Sequence, residues 1–282
     1  MNKILKFSGL GIAGLLLAST AVVAVQSGNT ERDIDAFEAR VTELGVSQPP
    51  AAFDETQIAN LPSPVQRYFR FVFRAAPANY SVVRVNAAGE FRRPLTKDFN
   101  PIESDQVLAA GVPALMFSAS TTVLPGIWAR AYDFFAQGQM EMKAKILSAI
   151  TVVDERETPQ LNQISLRRWL LESALCPTAL LPGGPVIWEP IDDASARAVV
   201  AWNGMRASMI ANFDTEGRMT SMVAEADGDL STPYHGSGEH VARTDYRQVG
   251  AQMIPMGFTI SRMAEGRLYP FYEGRVGSIS FE

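Results

Sequence analysis

Cysteine and histidine are nearly missing: 282 residues hold one Cys and two His. The single Cys176 excludes an internal disulfide and leaves no N-terminal cysteine for lipidation. His235 and His240 are separated by Gly-Ser-Gly-Glu, a spacing that matches no standard metal signature, and Glu239 and Asp245 nearby supply no obvious third ligand. They read as solvated loop histidines, and no metal site is expected. Basic residues are in deficit too, with 25 Lys and Arg against 30 Asp and Glu and a net charge of -5. That balance excludes nucleic acid as a partner, because phosphate binding needs a cationic surplus on one face.

Catalytic signatures are equally scarce. No Gly-x-Ser-x-Gly phrase occurs. Pro182-Gly183-Gly184-Pro185 lacks the Lys-Ser/Thr of a phosphate loop and leads into a strand, so it reads as a turn. Cys176 precedes Pro177 at the expected end of a helix, where the dipole disfavours a thiolate; a buried structural thiol is expected. No catalytic residue and no cofactor site emerges from these absences.

What is present begins with an export pattern. Lys3 and Lys6 precede a stretch, residues 7–25, that carries no charge, and Glu31, Asp33 and Asp35 follow it. Nineteen residues approach the ~20 needed to span a bilayer, and the charge order places the body outside the cytoplasm. Val22-Val23-Ala24 is also an acceptable cleavage site. Residues 1–27 are therefore a signal peptide or a signal-anchor helix, and the body is inner-membrane anchored or secreted after cleavage.

Residues 28–60 read as a stalk or linker. In it Thr30 caps a short amphipathic helix with Ile34, Phe37, Val41 and Leu44 on one stripe, ending at Gly45. Residues 61–282 read as a single α+β domain. Its first helix starts at Ser63-Pro64, with Val65, Tyr68, Phe69 and Val72 on one buried face, and a second helix is expected over residues 165–176. Elsewhere the period is two. Met140, Met142, Ala144 and Ile146 alternate with Gln139, Glu141, Lys143 and Lys145, and Asn203-Gly204 signals a tight hairpin. Gly89 reads as a turn or bulge, and residues 229–250 as irregular. The expected fold is a large, curved, mostly antiparallel sheet of about eight to eleven strands, half-barrel-like, with helices on its concave side.

Several phrases carry a resemblance: LPSPVQRYFRFVF, PGIWARA, RRWLLESALCPTALLP, VIWEPIDDASA, residues 233–246 and Ile254-Pro255. Over roughly residues 60–282 the chain resembles an uncharacterised bacterial domain-of-unknown-function family of exported or membrane-anchored proteins, its Pro-Thr-Ala-Leu-Leu-Pro phrase being the most specific part. Members carry an aromatic at the position of Cys176 and a tryptophan at that of Tyr234, which argues against a rigid chemical role for either. The layout is also similar to lipoprotein-carrier proteins of the LolA/LolB type, which implies a half-barrel holding acyl chains on its concave face.

The candidate ligand-binding side chains are Trp128, Met140, Met142, Trp169, Trp188, Met205 and Met209. Methionine adapts to varied apolar partners, although plain core packing gives the same pattern. Arg168 and Glu172, four apart on the second helix, read as a surface ion pair. The expected function is non-enzymatic binding of a lipid or other hydrophobic molecule in the cell envelope. Two alternatives stand: a membrane-tethered scaffold or assembly factor with a dry core and a protein partner, and a hydrolase using carboxylates such as Glu172 and Asp193.

Overall fold

The computed structural model describes residues 2–75, 79–93, 96–228, 230 and 238–282; the side chains of residues 2–17 and 19 lie outside the description. Among the described residues, thirteen strands form one antiparallel sheet. They are β1 (Val82–Arg92), β2 (Phe99–Ala109), β3 (Leu115–Leu124), β4 (Ile127–Ala136), β5 (Gln139–Ile146), β6 (Ile150–Arg156), β7 (Val186–Pro190), β8 (Ser195–Trp202), β9 (Met205–Phe213), β10 (Met219–Val223), β11 (His240–Val249), β12 (Gln252–Ala264) and β13 (Arg267–Phe281). Their order is β6-β5-β4-β3-β2-β1-β13-β12-β11-β10-β9-β8-β7. The chain thus meanders outward from β1 to β6, crosses to the opposite edge, and meanders back until β13 pairs with β1.

That crossing explains the most distinctive phrase of the sequence. Helix α4 (Pro159–Glu172) and two 3-10 turns, Ser173–Leu175 and Pro177–Leu180, carry the chain over one face of the sheet from β6 to β7. Thr158 caps α4 by accepting from Leu161 N at 3.1 Å, and Pro159 occupies its first turn, where a missing N–H costs nothing. The helix therefore starts six residues before the 165–176 expected, and its last turns tighten to 3-10.

The sheet is curled into a half-barrel. Strands β4 and β8 stand third and twelfth in the order, so a flat sheet would separate them by about 43 Å at ~4.8 Å per strand. Yet Asn203 Nδ2, in the β8–β9 turn, donates to Gln137 O, in the β4–β5 turn, at 2.9 Å. Helix α4 touches β4 and β5 as well as β8 and β9. After the short helix α2 (Glu55–Ile58), helix α3 (Ser63–Val72) lies on the same face, with Val65, Tyr68, Phe69 and Val72 all buried.

Part of the other face of the sheet, over β1 to β4, is covered as well. Helix α1 (Asn2–Ser47) runs unbroken through the segment expected to form a short, separate helix. Its Ile34 and Val41 are buried against Val107, Met116, Tyr132 and Phe134, and Phe37 stacks on Phe134 at 4.2 Å. Gly45 does not terminate the helix; a Cβ there would fall 2.7 Å from Val82 Cγ2, so glycine permits close approach to the sheet. Among the described residues no helix is long and apolar enough to cross a membrane. The expected export segment falls mainly on side chains outside the description, as do Tyr234 and His235.

Three further expectations are corrected. The strands exceed the eight to eleven expected, because β2, edge strand β6 and β11 give weak alternation. Residues 240–249, expected to be irregular, form β11. Gly89 sits inside β1 opposite Gly274, where a Cβ would meet Glu273 O at 2.0 Å, so the glycine allows two backbones to pair closely.

Candidate ligand groove

Cross-strand register aligns a row of small side chains on the face that carries α4. Val153, Ala144, Ala131, Ala119, Ser104 and Ala87 are successive partners across β6, β5, β4, β3, β2 and β1. Small residues side by side make a trough perpendicular to the strands, because side chains of one face stand next to each other across a ladder. Larger residues raise its banks, with Phe117 and Met142 on one side and Ile102 and Ile146 on the other. A wall of rings closes the far side: Phe91 lies edge-on to Phe271 and to Tyr272, each at 6.1 Å, and Phe117 to Tyr272 at 6.5 Å.

The result is an apolar groove enclosing about 240 Å³. Its polar groups are few: Arg168, Asp133 and Tyr272 on the α4 side, and Thr121 and Arg93 toward the other. Arg168 pairs with Asp133 in a buried contact and stacks 4.6 Å above the Phe117 ring. Tyr272 Oη lies 2.8 Å from Ser104 Oγ, and burial pushes its phenol up to about 12, so it stays neutral. Arg93 also lines the groove, and its Nε is buried without a hydrogen-bond partner.

Of the seven side chains singled out from the sequence, only Met142 lines the groove. Met140 and Met209 are buried in the main core and Met205 packs against it. Trp169 is fully buried, its indole N–H donating to Ala109 O at 3.2 Å, and Trp188 donates to Leu180 O at 3.0 Å; both are structural pins. Trp128 has the opposite parity on β4 and faces α1, with Nε1 donating to Ser148 Oγ at 3.0 Å. The structure therefore does not bring these seven together. The groove residues that were missed, chiefly Ala119, Ala131, Phe117 and Tyr272, are small or ordinary core types scattered along the chain.

Arg168 and Glu172 are not a surface pair. Both are buried: Arg168 reaches Asp133, and Glu172 accepts from Arg243 Nη2 at 2.8 Å. Asp193 sits exposed in the β7–β8 turn beside Ser63, so it and Glu172 occupy different surroundings. Cys176 is buried, and burial pushes its thiol up to about 12. His240 is half-buried on β11, and burial lowers its imidazole pKa.

Residues 59–281, nearly the whole body, match the model of a family of unknown function, DUF6920. The chain belongs to the DUF6920 family. No curated protein matches it. Among solved structures it is similar to a LolA superfamily protein from Nitrosomonas europaea, at 8% identity and TM-score 0.32, over 78% of this chain and 92% of that one. A putative outer membrane lipoprotein-sorting protein domain from Vibrio parahaemolyticus aligns at 6% identity and TM-score 0.33, over 80% and 93% of the two chains. A DUF1329 family protein from Desulfovibrio piger aligns at 8% and 0.31, over 72% and 86%. Likeness at this level carries no functional argument, which must come from the DUF6920 chain's own groove.

Proposed function

We propose that this protein is an exported, non-enzymatic component of the cell envelope that holds one acyl chain or similarly slender hydrophobic molecule in the groove over β3–β6. The observation that carries the reading is an apolar trough that the chain leaves unfilled, floored by buried Ala119 and half-buried Ala131 and Ala144. About 240 Å³ is below the ~300–1,000 Å³ of pockets for drug-sized ligands, which favours a narrow occupant over a bulky one. Burying its apolar lining would release about 25 cal/mol per Å² of covered surface. Export is supported by the charge order around residues 7–25, with residues 1–27 as signal peptide or anchor and residues 61–282 as the binding body.

The test is native mass spectrometry of residues 28–282 purified without detergent, together with titration of a fluorescent fatty acid. Bound mass and saturable uptake are expected, and Ala131→Trp, which fills the trough, removes both. An empty chain that takes up no probe would overturn the reading in favour of a membrane-tethered scaffold.

A further inference from the structure

We infer that one rim of the half-barrel rests on a lipid bilayer, so that the groove opens onto the membrane and not into water. The inference rests on the anchoring part of the reading above, but its evidence is separate. In an antiparallel meander alternate connections lie at the same end of the sheet, so the β1–β2, β3–β4, β5–β6 and β12–β13 connections share one rim. That rim gathers exposed large apolar side chains: Phe99, Leu124 (59% exposed), Trp128, Ile150 (60%), Val152 and Leu268. Along the same eight strands the connections at the opposite rim expose no large apolar side chain among the described residues, although Val46 of α1 is exposed beside that rim. Scattered apolar exposure is ordinary, but a one-sided collection marks a contact surface.

The occupant is identified by α1. The helix lies along the sheet with Arg40 against Gln137, in the β4–β5 turn at the far rim, and Thr30 at the near rim. Thr30 Oγ1 donates to Ser148 O at 2.8 Å in the β5–β6 connection, and Glu31 pairs with Arg130 at 2.8 Å. Toward its N-terminus the helix then runs on past the apolar rim, where Val22 and Val25 are exposed within the uncharged stretch of residues 7–25. An exposed valine face on a helix leaving at the same rim as Leu124 and Ile150 puts two apolar contacts at one end of the molecule, separated by the polar residues Ser27, Glu31 and Arg130, and a bilayer offers a matching apolar sheet to both. Trp128, with its ring at the rim and its N–H bonded to Ser148, has the amphipathic placement of an interfacial tryptophan. Ala129, Ile146 and Val152 line the groove at this same end, so its mouth faces the contact.

The full chain carrying Leu124→Cys, Ile150→Cys or, as a control, Ile187→Cys is labelled with an environment-sensitive fluorophore and reconstituted into phosphatidylcholine–phosphatidylglycerol vesicles. Buried Cys176 stays unlabelled in the native chain. Probes at 124 and 150 are expected to shift to the blue and to be quenched by spin-labelled lipid several-fold more than the probe at 187. Equal quenching at all three sites would overturn the inference. Leu124→Glu combined with Ile150→Glu is further expected to slow fatty-acid uptake from vesicles several-fold while leaving uptake from water unchanged; an unchanged vesicle rate would also overturn it. A chain that takes up no fatty acid from water defeats the ligand reading alone, since the quenching comparison still decides the rim.

Discussion

Alanines occupy corresponding positions in two regions of one sheet face, with opposite outcomes. Ala196, Ala198 and Ala211, on β8 and β9, are fully buried, because helices α3 and α4 both lie over these strands. Ala129, Ala131 and Ala144, on β4 and β5, are only half-buried, because α4 passes to one side and leaves their trough open. In the first region a small side chain admits a helix; in the second it leaves room for something the chain does not supply. Composition alone cannot separate the two cases. Cover decides.

Substitutions can break or sharpen this contrast. The largest effect is expected beneath the helix at Trp169, which is fully buried: Trp169→Ala should cost about 3–5 kcal/mol in urea unfolding, from lost burial and an unfilled cavity. Next, Ala198→Leu overpacks the covered region and should cost about 1–3 kcal/mol by the same measurement. Ala131→Leu, its counterpart in the groove, should change stability by no more than about 0.5 kcal/mol while weakening fatty-acid binding in fluorescence titration. An equal penalty for Ala198→Leu and Ala131→Leu would erase the distinction. The smallest effect concerns Cys176. Its thiol is expected to ignore alkylating reagents at pH 8 until denaturant is added, as read by mass spectrometry. With a folded pKa of about 12 against 9.0, its neutral form contributes stability below pH 9 that is lost as pH rises toward 12.

Local periodicity was legible where one face of an element is dry. The α3 stripe is wholly buried, Asn203 and Gly204 both adopt positive φ at their hairpin, and Met142, Ala144 and Ile146 face the groove together. What could not be read depends on long-range register. Asp133 and Arg168 are 35 residues apart, so nothing near Arg168 revealed that its partner was not Glu172. The alanine row joins residues 87, 119, 131 and 144 through separate ladders, each unremarkable by itself. The tryptophans drew attention by size, yet Trp169 and Trp188 spend their N–H groups holding backbone carbonyls. Edge strand β6 lacked alternation because a register shift interrupts its ladder and Ile150 and Val152 stay exposed at the edge of the sheet.

The return path of the chain also sets an order of assembly. The ladder that joins the two meanders pairs Val83 with Phe281, so its first strand waits for a partner 198 residues further along the chain. Until then β1 is an unpaired edge and the first six strands have no opposing wall of rings. Closure at such sequence separation is slow, and exposed edges invite mispairing while it is awaited. Loss of β13 would therefore disconnect the halves of the sheet, making its fifteen residues the seam on which the whole sheet closes.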